Sequence, residues 1–484
     1  MKHYGGLEDW YFQERSPVLL SKYQLGIIPN TEFAYQVSKR EDREVTIKPD
    51  KEHGRIFFEM KNIPGLLNEP YMDARKDYLQ KITFQLSGYT GNYTYQKKYM
   101  ASWDAVSTEL LEMDEFGGQL KKNIDAGEVI AFTKLMPLRE DRMRTIYNFV
   151  RSNMSWNGLY SKYSSDGIKN AWKKRTGTSG DINLLLVNLL NEAGLESYPV
   201  LVSERFHGKV NVDYPFIDQF NSVFSCVDID GKKYYLDATD PFCPAHITPS
   251  GILNTIGFIV KKKSGGLVNI INDSLMYKED TDVFLELKED GTISGEAIIS
   301  SEDYARMDKL AAYKKNQELF KNNYFTNEAF PFNITKLDVK NQENDSLEFQ
   351  QLLTLSGKLE GSGDYKYIPL NFFSGFRSNP FLSDNRFSNI NFGYKRDISL
   401  AVHIKLPADY VIDNLPKSIR MVTPNREISF TRQVVHDTSN NSILCNMNIL
   451  FKNSLYLADE YPTLKEIYKK LFEYLKEPVL LKKK

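Results

Sequence analysis

The spacing of hydrophobic residues changes along the chain and predicts three regions. Up to about residue 100, apolar residues alternate or cluster between polar turns, as in Arg55-Ile-Phe-Phe-Glu-Met, which is typical of β-strands. From Ser102 they recur at helical spacing, and beyond about residue 275 the pattern returns to strands. We therefore expect an α+β protein with a β-rich domain at 1–100, a mixed core at 101–265 and a C-terminal β-rich domain at 275–484.

Turn and capping residues place the individual elements. Strands are predicted at 23–28, 44–48, 55–60, 78–86, 198–202, 220–229, 233–239, 283–287 and 292–299. Asp230-Gly231 predicts the turn of a hairpin, and Asp290-Gly291 a second turn. Helices are predicted from Ser102 as N-cap, at 138–154, at 302–324 and at 463–475.

The most informative helix begins near Gly180. Its apolar residues recur at helical spacing and Gly194 follows as a stop signal, so a helix buried in the core is expected, with Ser179 as its N-cap. The apolar positions that define it are Ile182, Leu185, Leu186, Leu189 and Leu190.

Composition narrows the functional classes. The chain has 484 residues, enough for two or three domains, and a formal charge of -1, so no overall positive field attracts nucleic acid. Three cysteines, Cys226, Cys243 and Cys445, are too few for a disulfide framework and lack metal-ligand spacing. We expect no cofactor and no bound metal. Asp228, Asp230, Asp364 and Asp384 lack the spacing of a calcium loop.

No apolar run reaches the ~18 residues that a membrane-spanning helix needs. The first residues, Met1 to Gly6, lack the apolar stretch of a signal peptide. The sequence therefore predicts no insertion into a membrane and identifies no targeting signal.

Three segments in the middle of the chain resemble a known catalytic constellation. Gly177-Thr-Ser-Gly-Asp181 precedes the buried helix, Phe220-Asn-Ser-Val223 opens a following strand, and Leu236-Asp-Ala-Thr239 closes the next strand. In order, spacing and surroundings they resemble the Cys, His and Asp motifs of the bacterial transglutaminase-like superfamily. That resemblance implies a papain-like core between β-rich domains, in which a helix-terminal thiolate acts with an imidazole that a carboxylate orients.

The resemblance assigns triad positions to Ser179, Ser222 and Asp237, and only Asp237 keeps the family residue. A serine hydroxyl needs a base, and Ser222 cannot act as one. We expect a pseudoenzyme without active catalytic residues. The alternative is a hydrolase or acyltransferase that uses Ser179 or Cys243 as nucleophile.

The sequence offers few replacements for the missing base. His207 and His246 are candidates for a displaced base, although both lie in segments expected to be surface loops. Cys226 alternates within a predicted strand and is expected to be a small core residue.

The function expected from a retained fold without its triad is a binding or scaffold role. The partner is an unidentified protein, peptide or glycan, and the family resemblance favours the periplasm or the cell exterior. Trp10 to Pro17 resembles the interior of the family's leading β-domain. We therefore expect the first part of that domain to be missing and a sheet edge to be unpaired.

Overall fold

The chain folds into two compact units, one formed by Met1–Thr239 with Asn254–Ile270 and the other by Asp240–Leu253 with Ile271–Lys484. A computed structural model describes their architecture. It describes residues 8–27, 29–90, 96–98, 102–213, 215–271, 274–326 and 332–484.

The first part of the first unit is built from short strands. Strands β1, β6 and β3 lie side by side in that order, with β7 paired to β6, and β2, β5 and β4 form another small sheet. Residues that include Phe12, Phe58 and Ile82 form the core of this region. The strands are β1 (Trp10–Tyr11), β2 (Val18–Gly26), β3 (Thr31–Ser38), β4 (Thr46–Asp50), β5 (Arg55–Ile63), β6 (Lys81–Thr90) and β7 (Gln96–Lys98).

One predicted strand of this region begins later than expected, and three other expectations for it are not tested. The last predicted strand begins at Lys81 rather than at Tyr78, because Arg75–Asp77 form a 3-10 turn. Ile28, the end of another predicted strand, and the first six residues, examined for a signal peptide, lie outside the described residues. The missing start of the domain stays a prediction.

The rest of the first unit packs helices on a sheet whose strand order is β12-β11-β10-β13-β14. Its helices are α1 (Trp103–Glu112), α2 (Gly127–Lys134), α3 (Arg139–Asn153), α4 (Ile168–Lys174) and α5 (Ser179–Glu192). Its strands are β8 (Ser155–Trp156), β9 (Thr176–Gly177), β10 (Ser197–Val202), β11 (Ser222–Ile229), β12 (Lys232–Leu236), β13 (Thr255–Ile259) and β14 (Gly266–Ile270).

Helix α5 is the centre of this unit. Every residue from Ser179 to Leu190 is buried, and the helix packs against β10, β11 and the helices α3 and α4. It ends as the sequence predicts, because Gly194 has a φ of 80° and the Leu195 nitrogen donates to the Leu190 carbonyl at 3.0 Å. At Asp230 and Gly231 both φ angles are positive, which suits the tight turn between β11 and β12.

The second unit is dominated by an eight-stranded sheet of order β17-β18-β16-β15-β22-β26-β25-β24, in which only the β15–β22 pair is parallel. Strands β19, β20, β28 and β23 form a four-stranded sheet, and β21 pairs with β27. The strands are β15 (Met276–Leu287), β16 (Thr292–Glu302), β17 (Phe332–Lys340), β18 (Phe349–Lys358), β19 (Gly361–Ser362), β20 (Tyr365–Ile368), β21 (Ile390–Asn391), β22 (Lys395–Lys405), β23 (Tyr410–Asn414), β24 (Ile419–Val422), β25 (Ile428–Asp437), β26 (Ser442–Phe451), β27 (Leu455–Tyr456) and β28 (Val479–Lys483).

Helices α6 (Asp303–Lys315), α7 (Gln317–Phe325) and α8 (Tyr461–Leu475) complete the second unit. The segment predicted as one helix at 302–324 is thus divided at Asn316, whose side chain caps α7 by accepting from the Leu319 nitrogen at 2.9 Å. Within the described parts of the chain, no helix is both long and apolar enough to cross a membrane.

Candidate active site

Ser179 is the first residue of α5 rather than its cap. The Thr178 side chain accepts from the Asp181 nitrogen and the Asp181 carboxylate accepts from the Thr178 nitrogen, so these two residues form the capping box. The prediction that Ser179 is the N-cap is therefore wrong, because Thr178 already supplies the hydroxyl. Ser179 is only 2% exposed.

Ser222 lies beside Ser179. It is the first residue of β11, it is 1% exposed, and its Oγ is 3.3 Å from the Ser179 Oγ. The two positions that the sequence assigns to nucleophile and base are therefore neighbours in the structure. Neither hydroxyl can remove a proton from the other at neutral pH, since both are weak acids of similar strength.

Asp237 follows β12 and is held by α5 and by its own turn. Its Oδ1 accepts from the Asn183 side chain at 2.9 Å, from the Thr239 nitrogen at 3.0 Å and from the Thr239 hydroxyl at 2.7 Å. The Tyr147 hydroxyl donates to its backbone carbonyl at 2.8 Å. Burial raises the pKa of Asp237. These contacts link the hairpin to α5.

Glu204, which the sequence reasoning missed, lies near Ser222. It follows β10, it is 6% exposed, and the Ser222 side chain offsets part of the rise in its pKa. Asn221 holds it from both sides, accepting from the Glu204 nitrogen at 2.9 Å and donating to its Oε1 at 3.3 Å. Burial and the nearby charge of Asp237 raise the pKa of Glu204 to about 7. The only sequence signal was a charged residue directly after an apolar strand.

The backbone of Leu159 to Ser161, which we call the strap, crosses the start of α5. The Ser179 nitrogen donates to the Leu159 carbonyl at 3.1 Å, and the Ser179 hydroxyl donates to the Ser161 carbonyl at 3.0 Å. The same hydroxyl accepts from the Ser161 nitrogen at 2.8 Å. All the hydrogen-bonding groups of Ser179 that would serve acyl transfer are thus engaged by the strap.

Gly180 and Asp181 contact the segment that comes after the strap, and so hold that segment against α5. Asp181 Oδ1 accepts from the Ser164 hydroxyl at 2.5 Å and from the Ser165 nitrogen at 2.9 Å. A Cβ at Gly180 would lie 2.0 Å from the Tyr163 carbonyl oxygen, so only glycine allows this approach. The Gly-Asp pair of the motif therefore positions the segment over α5.

Exposed apolar side chains surround the strap. Leu159 is 62% exposed, Tyr160 48% and Phe206 58%, and the rings of Tyr160 and Phe206 are 5.3 Å apart. Trp156 contacts Tyr160 with ring centroids at 4.9 Å. Burial and the charges of Glu204 and Asp237 raise the pKa of Tyr160. We call Trp156, Tyr160 and Phe206, together with the neighbouring Leu159, the aromatic rim.

The other candidates do not join the site. His207 is bonded through Nδ1 to the Ser203 hydroxyl at 2.9 Å, and burial lowers its pKa to about 4. Cys226 is buried on β11, and burial raises its pKa to about 12. Cys243 and His246 belong to the second unit, where the Cys243 thiol is buried and donates to the Ile247 carbonyl at 3.5 Å. His246 is exposed.

The carboxylates doubted as calcium ligands make local contacts. Asp228 accepts from the Gly231 nitrogen at 3.0 Å in the hairpin turn, and Asp384 pairs with Lys465 at 2.8 Å. Asp230 and Asp364 also lie in turns. Among the described residues, no cluster of three or more His, Cys, Asp or Glu side chains is arranged to hold a metal ion.

Comparison with known proteins supports the fold. A family model described as a domain of unknown function with a solved structure, DUF3858, matches residues 364–481, which lie within the second unit. The crystal structure of a putative protease from Parabacteroides distasonis superposes with a TM-score of 0.58 at 14% identity, over 98% of this chain and 74% of that chain. This likeness shows a shared fold.

Two further comparisons add little. The structure of a putative cysteine protease from Cytophaga hutchinsonii aligns with 48% of this chain and 74% of its own at 12% identity, and its TM-score of 0.20 carries no weight. No curated protein matches the chain.

Proposed function

We propose that this chain is a catalytically inactive transglutaminase-like protein that serves as a binding or scaffold module for a peptide, protein or glycan in the cell envelope. The observation that carries the proposal is the engagement of Ser179 by the strap. Acyl transfer needs a free nucleophile and a backbone N–H that stabilises the oxyanion. Here the Leu159 carbonyl takes that N–H, and Ser161 takes the hydroxyl.

The lost base supports the same proposal. A thiolate at a helix N-terminus is stabilised by the helix dipole and an imidazolium, whereas a serine hydroxyl stays protonated in the same place. Ser222 supplies no imidazole, and His207 bonds to Ser203 instead of facing Ser179. Neither Ser222 nor His207 therefore supplies an imidazole that could generate an alkoxide at Ser179.

The aromatic rim supports the binding role. Exposed apolar side chains grouped at one place favour recognition of a partner, and aromatic rings stack on sugars as readily as on peptide side chains. The envelope location rests on the family resemblance alone.

Covalent probes test the inactivity. The folded chain should not react with a fluorophosphonate at Ser179, and iodoacetamide should alkylate Cys243 only after unfolding. Ser179→Ala is the matched control for the first probe and Cys243→Ser for the second. Stoichiometric labelling of Ser179 in the folded protein, absent in Ser179→Ala, would contradict the proposal.

One arrangement of side chains favours a second candidate, a hydrolase or acyltransferase with Ser179 as nucleophile. Ser179 Oγ is 3.3 Å from Ser222 Oγ, and the buried Glu204 lies near Ser222. A proton could pass from Ser179 to Ser222 while the Ser222 proton passes to Glu204, whose pKa of about 7 suits a general base. This candidate requires the strap to leave, and Glu204→Gln would then abolish fluorophosphonate labelling.

A further inference from the structure

A cavity of about 440 Å³ lies in the first unit, between the N-terminal strands and the loop that follows β10. Strands β3 and β6 form one wall, and the turn at Arg75–Asp77 and the loop form the others. Ser203 and His207 border it, so the loop that carries Glu204 also lines this cavity. Its volume suits a ligand of one or two amino-acid residues.

Most charges at the cavity are already paired. Asp9 forms an ion pair with Lys81 at 3.2 Å, and Asp218 forms one with Lys162 at 2.9 Å. His207 is neutral near pH 7, because burial and the charges of two lysines lower its pKa to about 4. These groups therefore contribute no net charge to a ligand in the cavity.

Two ammonium groups at the cavity form no ion pair. Lys76 and Lys209 line the cavity without an ion-pair partner in the described ranges, and the Lys209 ammonium lies 5.2 Å from the centre of the Tyr78 ring. Lys76 is half-buried, and burial lowers its pKa. Its side chain packs against Gly208, where an added Cβ would lie 2.5 Å from the Lys76 Cε. Asp77 also lines the cavity, and its Oδ1 accepts from the backbone nitrogen of Lys209 at 3.0 Å. With Asp77 counted, the unpaired groups carry about one positive charge.

Apolar rings face the same space. Tyr35 and Phe84 on the strand wall and Phe216 on the loop line the cavity, and Tyr35 and Phe216 are each 40% exposed. A ligand that filled the cavity would cover these rings and bring an anion to the lysines. The single net charge matches a carboxylate better than a phosphate dianion, and the lining contains no arginine fork.

We propose that this cavity binds the C-terminal carboxylate of a peptide whose last residue is apolar or aromatic. The carboxylate lies at Lys76 and Lys209, and the last side chain packs against Tyr35, Phe84 and Phe216. This site is separate from Ser179. It gives the proposed binding role a ligand class, but it stands or falls independently of catalytic inactivity.

Fluorescence anisotropy on the full chain tests the site. The probe is a fluorescein-labelled Ala-Ala-Phe tripeptide with a free C-terminus, and its C-terminal amide is the matched ligand control. We expect the amide to bind at least about tenfold more weakly, because it lacks the charge that the lysines attract. Unlabelled 3-phenylpropionate as competitor separates a peptide end from a small aromatic acid.

Variants locate the binding. Lys76→Met should weaken binding of the free-acid peptide by about tenfold or more and leave binding of the amide unchanged. Lys48→Met, on an exposed part of β4, should change the binding of neither peptide. Lys209→Met, which removes an exposed side chain, gives the same test if Lys76→Met fails to fold. The proposal would be overturned if the acid and the amide bound equally or if the acid did not bind. It would also be overturned if 3-phenylpropionate displaced the probe but the unlabelled tripeptide did not.

Discussion

The Ser179 hydroxyl both accepts from the Ser161 nitrogen, at 2.8 Å, and donates to the Ser161 carbonyl, at 3.0 Å. One residue of the strap thus satisfies both hydrogen-bonding functions of the side chain at the nucleophile position. A cysteine would make weaker hydrogen bonds there, because sulfur is a poor donor and acceptor. Serine at this position therefore stabilises the contact between the strap and the start of α5.

Removing this hydroxyl should lower stability without changing reactivity. Ser179→Ala leaves the Ser161 nitrogen and carbonyl without their partner, so we expect a loss of about 1 kcal/mol in the free energy of unfolding. Urea denaturation measures it. Thr178→Ala, which removes the true cap of α5, should cost a similar ~1 kcal/mol. A Ser179→Ala protein as stable as the parent would mean that the strap does not depend on this contact.

Glycine at position 180 should be essential for the segment that follows the strap. A Cβ there would meet the Tyr163 carbonyl oxygen at 2.0 Å, so Gly180→Ala should destabilise the protein by about 1–3 kcal/mol through overpacking. The matched control is Gly127→Ala in α2, where a Cβ meets nothing within 4 Å. That variant should be neutral or more stable, since alanine favours helix. Equal effects in urea denaturation would contradict the close approach.

The sequence predicts the frame of the site better than its chemistry. Gly194 and the Asp230-Gly231 turn have direct backbone consequences, so the end of α5 and the hairpin were predictable. The contacts of Glu204 and the strap were not, because they join segments far apart in the chain and depend on which carbonyl faces which donor. Thr178 and Ser179 illustrate the limit, since both are good caps and only the backbone decides between them.

Glu204 should make stability depend on pH. Its pKa is raised in the folded protein to about 7, above the ordinary value near 4.5, so the folded state binds the proton more tightly than the unfolded state. Its favourable contribution is complete below about pH 4.5 and is lost as pH rises through 7. This loss in the free energy of unfolding is on the order of 3 kcal/mol for a pKa that changes from about 4.5 to about 7, and Glu204→Gln should remove it. Urea denaturation at pH 5 and pH 8 measures the difference.

Glu128→Gln is the control for this pH dependence. Glu128 lies in the first turn of α2 and is exposed, so its replacement should keep the parental change in stability between the two pH values. If Glu204→Gln also retained that change, Glu204 would not be the group that titrates near pH 7.

The aromatic rim should govern partner binding. Tyr160→Ser combined with Phe206→Ser removes two exposed rings of the rim and should abolish binding of any ligand, found by screening a peptide library and a glycan array, that Lys76→Met still binds. Phe132→Ser on α2 is the control, because Phe132 is also 58% exposed. Stability should be unchanged in both, since exposed side chains contribute little. A ligand retained by the double variant would place recognition elsewhere.

Introducing the family's cysteine and histidine at residues 179 and 222 tests whether these two positions face each other. Ser179→Cys with Ser222→His places a thiol at the start of α5 within reach of an imidazole, because the two hydroxyls are 3.3 Å apart. The thiol pKa should fall from its ordinary value of ~8.5 toward the ~3.5–7.5 of activated cysteines, whereas Ser179→Cys alone should shift it much less. The measurement is the pH dependence of iodoacetamide alkylation at residue 179 in both folded variants.

Glu204, rather than Asp237, is expected to pair with the imidazole introduced at residue 222. In the parent its carboxyl group lies near Ser222, while the Asp237 carboxylate accepts from Asn183 and Thr239. Adding Glu204→Gln to the double variant should therefore raise the thiol pKa again, because the imidazolium loses its charged partner. Adding Asp237→Asn should change it less. Identical alkylation profiles in the single and double variants would mean that residue 222 does not face residue 179, and that the imidazole position has been assigned wrongly.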